Sequence, residues 1–283
     1  MATFQELGYS LIRKHSFPDL ELVYPSGKKI FVEAVTSNPA FNKEIEDKLQ
    51  IASKLSVEEI PAYLTELKQT SLMRTAGALF NKFNKKYWTY EWVKGNPLVL
   101  AVEDFHHAFS LNISDSSLIG YLYGIALQWH HDKDGKLVIE TSEEKEHTDG
   151  KRTIPSNFFS LPGAEHISAV IFSISGTISK FNRIAKLMGY SDPELEIVRK
   201  GTCCDPNPNA SLPNQFKYVV GRNGPKEDWR QGMAVYHNPN ALPKLSEKDF
   251  PGVFNGFFDT HFWAYVPDFH PYASESENWL PER

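Results

Sequence analysis

The sequence predicts an α/β protein with a mixed β-sheet flanked by helices, and three observations carry the prediction. Two runs rich in Val, Ile, Leu and Phe, Leu20 to Tyr24 and Lys29 to Thr36, flank Pro25-Ser26-Gly27-Lys28, which has the composition of a hairpin turn. Two continuous apolar runs, Leu98 to Val102 and Ile167 to Ile174, read as strands buried on both faces. Segments of helical period stand between and after these strands, so strands and helices alternate over residues 1–190.

Taken in order, Glu6 to Ile12 ends a short helix or leads into a strand. Phe41 to Leu55 is charged and helical, and Val57-Glu58-Glu59-Ile60-Pro61 has the composition of a helix start. Thr70 to Tyr87 is the strongest helix, with Leu72, Ala76, Leu79, Phe80, Phe83 and Tyr87 at helical spacing. Gly95-Asn96-Pro97 breaks the chain before the first buried strand. Ser116 to Leu127 and Ile178 to Met188 are further helices, and polar Glu140 to Arg152 reads as an exposed loop. Beyond Tyr190 the texture changes. Asp205 to Pro213 is rich in Pro and Asn, Phe216 to Val220 and Met233 to His237 are expected to pair, and the aromatic C-terminal stretch shows little periodicity. The expected division is an α/β core over residues 1–190 and a loop-rich, partly β elaboration over 191–283 packed on it.

The chain has 283 residues, enough to bury a large core, and its 19 Phe and 6 Trp exclude a wholly disordered chain. No apolar run approaches the ~18 residues of a membrane-crossing helix, and Met1 to Glu6 lacks a secretory signal's basic and apolar regions. The two cysteines are the adjacent Cys203 and Cys204, too few for a zinc site and ill placed to bridge, which points to a reducing compartment, by default the cytoplasm. A net charge of −5 argues against a generally basic nucleic-acid-coating surface. Charge is nevertheless local: Leu67 to Tyr90 carries Lys68, Arg74, Lys82, Lys85 and Lys86 and no acid. That segment suits phosphate contact or a solvated helix face.

Asp19 stands at the entry of one hairpin strand and Glu33 near the end of the other. Side chains alternate along a strand, so Glu33 and Val35 share one face while Ala34 points to the other. Two carboxylates at adjoining strand ends suit a hard cation such as Mg²⁺, which takes one or two carboxylates plus waters and phosphate oxygens.

Pro18-Asp19, the hairpin and Phe31-Val32-Glu33-Ala34-Val35 resemble the PD-(D/E)xK motif of restriction-endonuclease-like nucleases. More narrowly, Phe17-Pro18-Asp19, Val32 through Pro39 and Gly95 through Ala101 resemble an uncharacterised bacterial family with this core. Lys85-Lys86-Tyr87 and Tyr236-His237-Asn238-Pro239 fit the same pattern. The resemblance implies a Mg²⁺- or Mn²⁺-dependent DNA phosphodiesterase, with Asp19 and Glu33 as metal ligands and catalytic residues.

The chain departs from the motif at Val35, where a nuclease carries the lysine that positions the attacking water. Lys82, Lys85 and Lys86 on the following helix are candidates to supply that charge, and Lys86 is the expected one. The family's N-terminal helix carries an extra acidic residue; this chain starts at what reads as that helix's end, with Glu6 as a substitute. The alternative is a catalytically inactive nuclease-like module that binds nucleic acid or a partner protein. The sequence leaves a homodimer open.

Other candidates have plainer readings. His130-His131-Asp132-Lys133-Asp134-Gly135 is first a turn between strands. Glu103 and Asp104, ahead of His106-His107, end a buried strand, where active clefts often lie. His237-Asn238 reads as a loop cap, and Cys203-Cys204 lacks a histidine partner by spacing. Neither GxGxxG nor GxxxxGK[ST] occurs, which disfavours nucleotide-driven chemistry.

Overall fold

A computed structural model describes residues 1–38, 55–56, 58–105, 116–222 and 224–280. The expected helix Phe41 to Leu55 lies, but for its last residue, outside the described residues, as do His106 and His107. A short helix α1 (Ala2–Glu6) leads into β1 (Ser10–Ile12). Then β2 (Leu20–Val23) and β3 (Lys29–Ser37) form the antiparallel hairpin, with Leu20 opposite Val32. Parallel to β3 runs β4 (Leu98–Asp104), and parallel to β4 runs β9 (Ala169–Ser173). The sheet continues through β12 (Met233–His237), β13 (Phe254–Phe258) and β14 (Phe262–Tyr265), in the order β1-β2-β3-β4-β9-β12-β13-β14. It is mixed, because β9 and β12 are antiparallel while β12 and β13 are parallel.

The alternation along β3 and β4 explains why both faces are covered. Phe31, Leu98, Leu100 and Val102 enter a core with Leu79, Phe83, Phe158 and Phe159. Ile30, Val32 and Val99 enter a second core with Phe4, Leu22, Val235 and Phe250. Each strand thus removes apolar surface from water on two sides, at roughly 25 cal/mol per Å².

The strongest helix is longer and ends earlier than its periodicity predicts. Helix α2 runs Ile60–Phe83, with Glu59 at the N-cap and a proline in its first turn. The chain turns at Asn84 and Lys85, and Tyr87 falls in a 3₁₀ turn, Tyr87–Thr89. Phe80, counted on the apolar stripe, is largely exposed.

Helix α3 (Ser116–Tyr123) also stops short of Leu127, because Gly124 turns the chain at φ +71° and Ile125 opens a strand. That strand, β5 (Ile125–His131), forms a hairpin with β6 (Leu137–Glu143). The expected loop Glu140 to Arg152 is instead the end of β6 plus half of a second hairpin, β7 (Glu146–Thr148) with β8 (Thr153–Pro155). Its polar residues are on strands exposed to solvent, so polarity alone misreads them as loop.

The expected pairing of Phe216 to Val220 with Met233 to His237 does not occur. Phe216 belongs to β11 (Asn214–Val219), an edge of the three-stranded sheet that it forms with β10 (Glu196–Cys203) and β15 (Pro271–Trp279). All five residues of β12 are buried, the mark of a central strand that needs neighbours on both sides, whereas β11 is largely exposed. The boundary expected at residue 190 therefore does not separate two sheets, since β12, β13 and β14 complete the sheet begun by β1. Helix α4 (Ile178–Leu187) follows β9, capped by the Thr177 side chain accepting from Lys180 N.

Candidate active site

Hairpin register sets Asp19 opposite Glu33, and each carboxylate accepts from a backbone amide across the hairpin. The Asp19 amide donates to Glu33 Oε2 at 3.1 Å, and the Ala34 amide donates to Asp19 Oδ2 at 2.8 Å. Asp19 is exposed, whereas Glu33 is 0% exposed, on the sheet face covered by α2. A carboxylate withdrawn from water needs hydrogen bonds and a counter-charge. Lys82 Nζ donates to Glu33 Oε1 at 2.5 Å and the Tyr87 hydroxyl donates to the same oxygen at 2.7 Å. Burial first, then the bond to the Glu33 carboxylate, raises the Tyr87 pKa, which keeps that hydroxyl a donor.

The lysine at the carboxylate is Lys82, not Lys86. Residues three apart share a helix face, and Lys82 follows the buried Leu79 by three, so its stem runs along the sheet-facing side. Lys86 lies beyond the helix end at φ +51°, exposed, and Lys85 is exposed too. Val35 is half-buried against the apolar core, as a strand position without a charge should be. Glu6 accepts from the Trp229 amide at 2.9 Å and does not join the two carboxylates. Tyr87 is the site residue that sequence reasoning missed. Its helical spacing marks it as core, and only its hydroxyl, which needs a partner when buried, hints at more.

Asp19 also faces a second environment. A cavity of about 630 Å³ opens on the opposite sheet face, lined among others by Asp19, Ala34, Ala101, Glu103, Ser175 and Lys180. Glu103 accepts from the Gly176 amide at 2.6 Å, and burial raises its pKa. A Cβ on Gly176 would stand 2.3 Å from Glu103 Oε2, so glycine is what lets the carboxylate approach. Lys180 Nζ donates to the carbonyls of Gln231 at 2.7 Å and Trp229 at 3.0 Å.

Burial lowers the Lys180 pKa from 10.5 to about 8. Between those values the unfolded chain holds this proton and the folded chain does not, so stability should rise with pH across that window. The rise should reach at most about 3 kcal/mol. Urea denaturation midpoints from pH 8 upward, compared between the parent and Lys180→Met, check this; the variant should show a flatter profile.

The remaining candidates have structural partners. Asp132 Oδ1 accepts from the amides of Asp134 and Lys136, which makes the His130 to Gly135 segment the turn of the β5–β6 hairpin. Ser71 Oγ donates to Asp104 at 2.5 Å. Asn238 Nδ2 donates to the carbonyls of Ala164 and Ile167, a loop cap, and His237 Nε2 meets Asn255 Oδ1. Cys203 and Cys204 are free thiols, and burial raises the Cys203 pKa, which disfavours its thiolate.

Asp19 and Glu33 are cross-strand neighbours; Glu33 is buried with both oxygens engaged, and Asp19 is the carboxylate that reaches solvent. Among the described residues, no group of three or more His, Cys, Asp or Glu side chains gathers to hold a metal. Among the described residues no helix is long and apolar enough to cross a membrane. Comparison of the chain with protein-family models, curated proteins and solved structures finds no match.

Proposed function

We propose that this chain is a divalent-cation-dependent phosphodiesterase acting on DNA, built on a restriction-endonuclease-like core. The observation that carries the reading is the ammonium of Lys82 on Glu33. The motif's strand lysine is replaced by Val35, and helix α2, which covers the sheet face that Glu33 and Val35 share, brings a lysine to the same carboxylate. Glu33 thus pairs with Lys82 and accepts from the Asp19 amide, and two acids and a lysine are the group types that phosphodiester hydrolysis by this motif uses. Bound Mg²⁺ or Mn²⁺ would supply Lewis acidity and charge neutralisation at the scissile phosphate. Lys82 would offset the charge that develops there and orient the attacking water. Tyr87 fixes the Glu33 oxygen that Lys82 uses, and exposed Asp19 gives the substrate an approach.

Calorimetry and cleavage assays test the reading together. Parent protein should take up Mg²⁺ or Mn²⁺ and cut DNA, whereas Asp19→Asn and Glu33→Gln should lose both properties while staying folded. Unchanged metal affinity in both variants would sink the assignment. A second reading, a nuclease-derived module that binds without cutting, is favoured by one observation: Glu33 is wholly buried and both its oxygens are engaged. That reading expects no heat with either cation and DNA or protein binding in its absence.

A further inference from the structure

The loop that follows α2 interleaves rings and cations: Lys85, Lys86, Tyr87, Trp88, Tyr90 and Trp92 occur within a few residues. Some of these rings stack into a ladder beside the carboxylates. Trp92 lies parallel to His15, with centroids 4.2 Å apart and planes 6° apart, and stacks on Tyr90 at 4.8 Å. Phe17, two residues before Asp19, lies over Tyr87 at 6.2 Å and 30°. Trp92 Nε1 donates to the Phe17 carbonyl at 3.0 Å, which fixes the Phe17 backbone.

Packing explains the ladder's interior but not its end. Phe17 is 49% exposed, with Tyr87 on one side of its ring, whereas Trp92, 38% exposed, stands between His15 and Tyr90, so Phe17 is the ring that offers a face to solvent. Lys14, Lys85 and Lys86 are exposed next to His15 and Tyr87 in sequence, with Asp19 and Glu91 the exposed acids of the same two segments. Exposed rings flanked by cations match an anionic polymer with flat apolar faces. In a duplex those faces are covered by neighbouring bases and closed off by pairing. Only an unpaired strand can lay a base on a protein ring while its phosphates meet lysines.

We propose that Phe17, held in place by Trp92, is a base-stacking platform that selects single-stranded nucleic acid and delivers its backbone to the Asp19–Glu33 site. The inference builds on the phosphodiesterase reading for the use of that site, but the platform itself needs no metal. Phe17 immediately precedes Pro18-Asp19, and its ring covers the tyrosine bound to Glu33. A base seated on Phe17 would therefore bring its backbone toward the carboxylates.

Anisotropy of labelled short oligo(dT) and of a hairpin duplex, with the full chain in EDTA at low salt, tests the platform. The single strand should bind at least about tenfold more tightly than the duplex. Phe17→Leu keeps apolar bulk but removes the π face, and it should weaken single-strand binding about tenfold without changing duplex binding. Phe17→Leu should leave the melting temperature unchanged, since the ring is half in solvent; this guards against a folding defect read as a binding defect. Lys85→Gln with Lys86→Gln should weaken both ligands together and reduce the salt dependence. Equal affinity for the two forms, no binding of either, or an unaffected Phe17→Leu would overturn the proposal. Single-strand binding that survives in a protein unable to cut DNA with Mg²⁺ would keep the platform and remove only the phosphodiesterase reading. Cutting of duplex without single-strand preference would do the reverse.

Discussion

Lys82→Met is expected to destabilise the protein by about 3–5 kcal/mol, because it strands a carboxylate that no water reaches. Glu33 would keep the Tyr87 hydroxyl and the Asp19 amide but lose its only ion-pair partner among the described residues. The converse change is milder. Glu33→Gln leaves Lys82, whose side chain is 26% exposed, free to turn toward solvent, at a cost of about 1–2 kcal/mol. The double variant should be more stable than Lys82→Met alone, since a neutral amide tolerates burial better than an unpaired charge. Urea unfolding of the four proteins measures the coupling directly. A loss below about 1 kcal/mol in Lys82→Met would show that Glu33 does not depend on this lysine.

The same variant separates the two functional readings. If the site binds a divalent cation, Mg²⁺ should restore part of the lost stability, since an ion that binds only the folded form stabilises it by mass action. Cleavage should meanwhile fall by about 10²–10³-fold, as for removal of one group that stabilises charge in a transition state. A binding module would show the destabilisation and no rescue.

The second large effect is expected at Glu227→Ala, at least about 3–5 kcal/mol in a thermal or urea melt. Arg183 on α4 meets Glu227 through two bonds of 2.7 and 2.8 Å, and Arg199 on β10 approaches it at 3.3 Å. All three side chains are 3% exposed or less. Both guanidiniums also reach the edge of β15, Arg183 donating to Ser276 and Arg199 to Ser274. Removing this carboxylate leaves two cations out of water with, among the described residues, only the neutral acceptors Ser276, Ser274, Tyr218 and Gln231. The small sheet should then pull away from α4, which circular dichroism would record as partial loss of structure before the main transition. Glu227→Gln keeps the shape but not the charge and should fall between the parent and the alanine variant.

What the sequence shows and what it conceals divide along the distance between partners. The hairpin and the two apolar runs are legible because their patterns are local, and the adjacency of Asp19 and Glu33 follows from the hairpin's register. Lys82 is not distinguishable from Lys86 in the same way. No Gly or Pro marks the end of α2, so the apolar spacing runs on through Tyr87 although the chain has already turned at Asn84. The assignment of Met233 to His237 fails for a related reason. Its neighbours, β9 and β13, come from opposite sides in sequence, and only its unbroken burial distinguishes it from an edge strand. The Arg183–Glu227–Arg199 cluster is invisible in sequence, because each member is an ordinary charged residue until three elements converge.

The placement of β12 beside β9 also has a consequence for how the chain is made. Chains emerge N-terminal end first, so β4 and β9 are available long before Met233–His237 leaves the ribosome. During that interval β9, four of whose five residues are buried in the finished protein, presents an open row of amides and carbonyls. Such a row is a template for pairing with a strand of another nascent chain. Polysomes translating this message would therefore hold several copies of a chain with that open strand edge close together. Slow synthesis between residues 174 and 237 would lengthen that exposure, and a chain stalled there should be captured by holdase chaperones or lost to aggregates.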